Sequence, residues 1–111
     1  MPFDATPVET KPECQVLKEA AQLVRRGHCK RAPVIHVDGH KRYCAVGAIM
    51  VAANGSPAVT ELGFRAAERL AALLFNARPG MACIGNITAW NDQPERTAEE
   101  VAQALEAAAR P

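Results

Sequence analysis

The residues of this 111-residue chain that could do chemistry are four cysteines, three histidines and one Trp-Asn-Asp triplet. Cys44 opens a ten-residue run, 44–53, that carries no charged or strongly polar side chain. A thiol near a helix N-terminus has its thiolate favoured by the helix dipole and by free amides. Histidines precede it, and Asn91-Asp92 could orient one of them, so Cys44, His28 and Asp92 form a candidate Cys-His-Asn/Asp nucleophilic set. The surroundings argue for another role. Ala45-Val46-Gly47-Ala48-Ile49 is the setting of a buried cysteine acting as a small hydrophobe.

Metal binding is the second chemistry to weigh. Cys29, His36, His40 and Cys44 lie within sixteen residues, and zinc takes Cys and His ligands. There is no Cys-x-x-Cys. If Asp38-Gly39 closes a two-residue hairpin, Val37 pairs with His40 and His36 with Lys41. Neighbours along a strand alternate faces, so His36 and His40 point opposite ways. The reading is therefore no metal and no cofactor. Gly80 to Gly85 lacks the lysine and the preceding strand of a phosphate loop.

Charge is the third signal. The net charge of +1 conceals a basic window: residues 25–42 hold six Lys/Arg against one acid, Asp38. Arg25, Arg26, Lys30, Arg31, His40, Lys41 and Arg42 are the candidate partner-binding residues, an electrostatic footprint for an acidic macromolecule. Aromatics are only 5% of the chain. That leaves no platform for stacking on single-stranded nucleic acid and favours a protein partner.

These residues need elements to hold them. A helix apolar on every face belongs inside a protein, and ten residues are too few to cross a bilayer, which takes roughly 20. The run 44–53 is thus a short buried central helix with Cys44 in its first turn, closed by Asn54-Gly55. Before it, Thr10-Lys11-Pro12-Glu13 reads as a capping box opening a helix from Lys11 to Arg26. Leu17, Ala20, Ala21 and Val24 form its apolar stripe. Asp38-Gly39 between Pro33–Val37 and His40–Tyr43 signals a type I′ hairpin.

After the central helix, Ser56-Pro57 reads as a cap and first helical residue. The helix it opens runs to Asn76, with Leu62, Ala66, Leu70, Leu73 and Leu74 facing inward and Gly63 as a local weakness of up to ~1 kcal/mol. Cys83, Ile84, Ile87 and Trp90 fit one face of a further helix, though the same segment also suits an extended strand; Trp90 is read as a core anchor. Asn91 and Asp92 are expected to fold onto the local backbone in a turn. Thr97-Ala98-Glu99-Glu100 is a second capping box, opening a last helix to Ala109.

The expected fold is mainly α, in the α+β sense: a compact bundle of four to five helices with one hairpin. Residues 1–9 are a loose arm and 10–111 a single domain. The N-terminus has neither a basic start nor an apolar run, so no signal peptide is expected, and the setting is cytoplasmic with reduced cysteines.

Three motifs carry a family resemblance: Gly27-His28-Cys29, then Cys44-Ala45-Val46-Gly47-Ala48-Ile49, then Ala89 through Val101 with Trp90-Asn91-Asp92. Together they resemble a family of small uncharacterised bacterial and phage domains, over residues 14 to 108. In that family the second position of the first motif is usually aromatic, where this chain has His28. The resemblance implies a structural role for Cys44, Gly47, Trp90, Asn91 and Asp92 and a bacterial or phage setting, but no mechanism.

The function expected is a non-enzymatic regulatory or inhibitory module. It would dock a larger protein or nucleic-acid complex, with host defence machinery one such target, through the basic loop and hairpin. The alternative is a cysteine-dependent enzyme centred on Cys44. The central helix makes one direct demand on stability. Ile49→Ala is expected to cost roughly 2–5 kcal/mol in chemical denaturation, as buried large-to-small changes do; a loss below ~0.5 kcal/mol would place the segment outside the core.

Overall fold

The computed structural model describes residues 11–78, 80 and 83–110; the arm over 1–9 and the expected cap Thr10 lie outside them. The elements run α1 (Glu13–Arg26), β1 (Val34–Val37), β2 (His40–Tyr43), α2 (Ala45–Asn54), α3 (Glu61–Phe75), α4 (Ile84–Asn91) and α5 (Ala98–Ala108). The fold is mainly α with one antiparallel hairpin, as the hydrophobic pattern predicts.

α1 buries the expected stripe of Leu17, Ala20, Ala21 and Val24, together with Val16. It packs chiefly on α5 and α2. The helix starts two residues later than its capping pattern implies, at Glu13, with Pro12 as an extended N-cap. A residue before proline is disfavoured in the helical region, so Lys11 cannot be the first helical residue. Its ammonium instead pairs with Glu19 at 2.6 Å and donates to the Ala52 carbonyl at 3.0 Å. That contact ties the start of α1 to the end of α2.

α2 is the buried centre, with Val46, Gly47, Ala48, Ile49 and Met50 all out of solvent. Cys44 stands one position before the helix as its N-cap, not in the first turn, and its sulfur accepts from the Gly47 amide at 3.2 Å. Gly55 closes α2 in the left-handed conformation with φ 82°. Gly47 is required by close approach. A Cβ there would overlap the Pro33 carbonyl, and that carbonyl also accepts from the Cys44 amide at 3.0 Å. The loop before β1 therefore lies directly on the first turn of α2.

α3 departs most from the sequence pattern. It begins at Glu61, capped by Thr60, whose hydroxyl accepts from the Gly63 amide at 3.2 Å. Ser56 is not its cap. The Ser56 hydroxyl accepts from Asn54 Nδ2 and the Ala58 amide in a local turn. The buried face is Gly63, Ala66, Ala67, Leu70 and Ala71. It keeps Ala66 and Leu70 but is turned toward Ala67 and Ala71 by roughly half a residue, ~50° of helix, relative to the leucine stripe. Leu73 falls on the open edge, 51% exposed, while Leu62 and Leu74 lie at the core margin. The cause is the nearness of α2: a Cβ on Gly63 would collide with the Met50 sulfur. Small residues win this face because the helices approach closely.

The hairpin has the predicted register, Val37 opposite His40 and His36 opposite Lys41. Asp38 and Gly39 both have positive φ, 51° and 79°, as a type I′ turn requires. The segment before it is more than a connector. The Cys29 amide donates to the Tyr43 carbonyl at 3.0 Å, and the Tyr43 amide to the Gly27 carbonyl at 2.8 Å. Residues 27–29 thus run parallel to the end of β2 and arrive beside the start of α2.

α4 buries Ile87 and Asn91 and half-buries Ile84 and Trp90, with Cys83 buried at its N-cap. α5 opens on the predicted capping box: the Thr97 hydroxyl accepts from the Glu100 amide, and the Glu100 carboxylate accepts from the Thr97 amide at 2.9 Å. It buries Val101, Ala102, Leu105 and Ala108.

Helix propensity alone makes Gly→Ala stabilising inside a helix. The contact with Pro33 reverses this at Gly47. Gly47→Ala is expected to lower stability by about 1–3 kcal/mol, the cost of forcing atoms into a packed site. A neutral or stabilising result in urea denaturation would show that the loop does not rest on α2.

Candidate functional site

Position 91 follows Ile87 by four residues, so the two share one face of α4. That face is buried, and Asn91 is fully buried with it, the one buried polar side chain among the described residues. A polar group there must find partners, because an unpaired buried one costs roughly 1–3 kcal/mol. Asn91 finds four. Its Oδ1 accepts from the Ala45 amide at 3.0 Å and lies 2.8 Å from His28 Nε2. Its Nδ2 donates to the Cys29 carbonyl at 3.1 Å and to Asp92 Oδ1 at 2.9 Å.

These partners fix the chemistry of the site. The Ala45 amide can only donate and the Cys29 carbonyl can only accept, so the orientation of the Asn91 amide is determined. Oδ1 therefore faces His28, and His28 Nε2 must carry the proton it donates. The sequence leads one to expect Asn91 and Asp92 to serve a local turn. They serve contacts across the chain instead: Asp92 Oδ1 also accepts from the Arg31 amide at 3.0 Å. Three segments distant in sequence, 28–29, 44–45 and 91–92, are joined at one amide. They belong to the three motifs that carry the family resemblance.

Cys44 lies at this junction, 3% exposed. Burial pushes its thiol up, against the opposing pull of the Gly47 and Val46 amides. Burial, and then the neighbouring Cys44, push the Cys29 thiol up to about 11. Both thiols therefore hold their protons at neutral pH. Cys44, His28 and Asp92 are brought into one region, but His28 is bound to Asn91 and the Cys44 sulfur to the Gly47 amide. Among the described residues no hydrogen bond joins the sulfur to the imidazole. All four cysteines are free.

Trp90 is half-buried at the core margin and does not anchor the core centre. The Arg96 guanidinium covers its ring at 4.4 Å and donates to the Trp90 carbonyl.

The basic window divides by environment. Arg25 is committed to α5, pairing with Glu99 at 2.7 Å and with Glu106 at 2.5 Å. These bonds raise the Arg25 pKa and hold both carboxyls below their usual range. Lys30 donates to the Gln93 and Pro94 carbonyls, closing the turn after α4. Arg26, Arg31, His40, Lys41 and Arg42 are exposed. None of these five forms an ion pair among the described residues. Gly27 lies against Lys41 and Arg42, while Arg26 lines the groove between α1 and the end of α2, with Glu19 and Gln22. Arg31 stands apart, next to Asp92, on the rim of a cleft of about 340 Å³ with Cys44 in its wall.

The described residues hold no group of three His, Cys, Asp or Glu placed to share a metal ion. None of their helices is long and apolar enough to cross a membrane. Sequence reasoning missed both the Asn91 junction and the cleft. The signal for the first was available: an asparagine at the i+4 position of a buried isoleucine.

The chain belongs to DUF6197, a family of unknown function, whose model matches residues 9–111. No curated protein and no solved structure matches the chain.

Asn91→Ala leaves the Ala45 amide and the Cys29 carbonyl without their partner, and is expected to cost about 3 kcal/mol. His28→Ala removes one bond from a half-buried ring and is expected to cost ~1 kcal/mol. Denaturation curves compare them; a loss below ~1 kcal/mol for Asn91→Ala would deny the amide its central place.

Proposed function

We propose that this member of the family is a small non-enzymatic docking module, regulatory or inhibitory in effect, which binds an acidic protein surface through its basic hairpin. One observation carries the reading. Lys11, Arg25, Arg65 and Arg96 are each spent on carboxylates within the fold, whereas Lys41 and Arg42 stand exposed side by side on β2 and Arg26 stands exposed at the end of α1, none of them with a carboxylate partner among the described residues. His36 and His40 are exposed on the same hairpin. Exposed cations without an internal partner steer an acidic surface and help fix its register.

Protein is favoured over nucleic acid because the hairpin presents no exposed tyrosine, tryptophan or phenylalanine for stacking: Tyr43 is buried. Docking is favoured over cysteine catalysis because burial keeps Cys44 a thiol, and the thiolate is the nucleophile. The proposed setting is a bacterial or phage-infected cytoplasm, on the strength of the three motifs.

The test reverses Arg26, Lys41 and Arg42 to glutamate and captures partners from native-host lysate on wild type and variant. Exposed substitutions shift stability by ~0.5 kcal/mol or less each, so the variant should keep its circular dichroism spectrum. The expected result is a protein retained by the wild type, lost by the variant and released as salt rises, since exposed charges are screened over ~10 Å at 0.1 M. Equal retention by a folded variant would remove the hairpin as the docking surface. Competition by duplex DNA, with a steep salt slope, would replace the protein partner by nucleic acid.

A further inference from the structure

The cleft beside Cys44 is separate from the basic hairpin cluster and has its own chemistry. It measures about 340 Å³ and opens between the loop before β1, the start of α2 and one side of α4. Its walls are mostly apolar, with Val46, Val59 and Ile84 among them. Val59 is 59% exposed, a large apolar side chain left facing solvent beside the cleft. The volume is at the low end of the roughly 300–1,000 Å³ of ligand pockets, which suits a small molecule.

Two opposite charges line this apolar space. Arg31 and Asp92 are adjacent, joined by the Arg31 backbone amide donating to Asp92 Oδ1 at 3.0 Å. Their side chains do not pair with each other: the Arg31 guanidinium is exposed and takes no carboxylate among the described residues. Arg31 is held at φ 68°, a region costly for a side chain other than glycine's. The Asp92 bond holds the Arg31 backbone at the rim of the cleft, from which its side chain can reach in. The Asp92 carboxylate accepts its other hydrogen bond from Asn91 Nδ2 through the same Oδ1.

A ligand that satisfies this arrangement carries both charges. A simple carboxylate would meet Arg31 but face Asp92; a simple amine would meet Asp92 but face Arg31. A zwitterion meets both with charge-assisted hydrogen bonds, and a compact hydrocarbon side chain fits the apolar walls. We infer that this cleft binds an apolar α-amino acid, with its carboxylate on Arg31, its ammonium on Asp92 and its side chain against Val46, Val59 and Ile84. Cys44 lines the cleft and takes no part in any reaction. This site stands independently of the docking surface, since Arg26, Lys41 and Arg42 are outside it.

The test titrates leucine, isoleucine, valine and phenylalanine separately into the full chain, to about 10 mM, while following the methyl resonances of Val46, Val59 and Ile84. At least one amino acid is expected to shift all three saturably. Two half-ligands divide the charges: 4-methylpentanoate keeps the carboxylate of leucine and isopentylamine keeps the ammonium. Each should bind about tenfold more weakly or worse than leucine, for loss of one charge-assisted contact. Arg31→Gly removes the guanidinium at a position where glycine adopts the backbone freely, so the fold is retained and affinity should fall by a similar factor. Asp92→Asn removes the other charge and should do likewise. Absence of shifts with all four amino acids would overturn the proposal, as would undiminished affinity in folded Arg31→Gly or half-ligands that bind as well as leucine.

Discussion

The arrangement of this domain depends on one buried amide having all of its hydrogen bonds made. Asn91 sits on the buried face of α4, where a hydrocarbon side chain would be the default, and meets four partners from three separate segments. Burial raises the stakes of each bond, since low polarity strengthens a satisfied network and penalises a broken one. No buried side-chain nitrogen or oxygen among the described residues lacks a partner. The amide therefore acts as a register pin. It allows one relative placement of the 28–31 segment, the start of α2 and the end of α4, where apolar packing alone would tolerate several.

Two close approaches complete that placement. The Pro33 carbonyl rests on the first turn of α2 because Gly47 has no side chain, and α3 reaches Met50 because Gly63 has none. The loop before β1 is thus clamped from both sides, by Asn91 and Asp92 on one and by α2 on the other. From this clamp the hairpin projects its basic residues, and beside it the cleft opens between Arg31 and α4. Both proposed binding surfaces are consequences of the same clamp. The Arg25 pairs with Glu99 and Glu106 belong to the α1–α5 side; exposed as they are, they contribute little to stability.

What was legible in the sequence is what neighbouring residues decide. The Asp38-Gly39 turn sets the hairpin register by itself, because only residues that tolerate positive φ can form it. Thr97 and Glu100 cap α5 reciprocally within one turn, and the apolar run 45–53 has nowhere to go but inside. What was not legible is what distant segments decide. The start of α3 passed from Ser56 to Thr60 because Ser56 was engaged with Asn54. The buried face of α3 was set by the nearness of α2 and not by its leucines. Asn91 looked like a turn former because asparagine usually bonds its own neighbourhood; its actual partners lie 46 to 63 residues away, Asp92 apart. Arg25 read as part of a basic surface because its carboxylate partners are 74 and 81 residues off.

In the native state the Asn91 amide is sequestered and fully bonded. Hydrogen exchange of its two Nδ2 protons, followed by NMR, tests this without altering the protein. Buried, hydrogen-bonded protons exchange only through opening of the structure around them. The account predicts that both protons exchange as slowly as the most protected backbone amides of α2. It also predicts that they slow in step with those amides when global stability is raised. Exchange at the rate of a free carboxamide, with the α2 amides still protected, would contradict it.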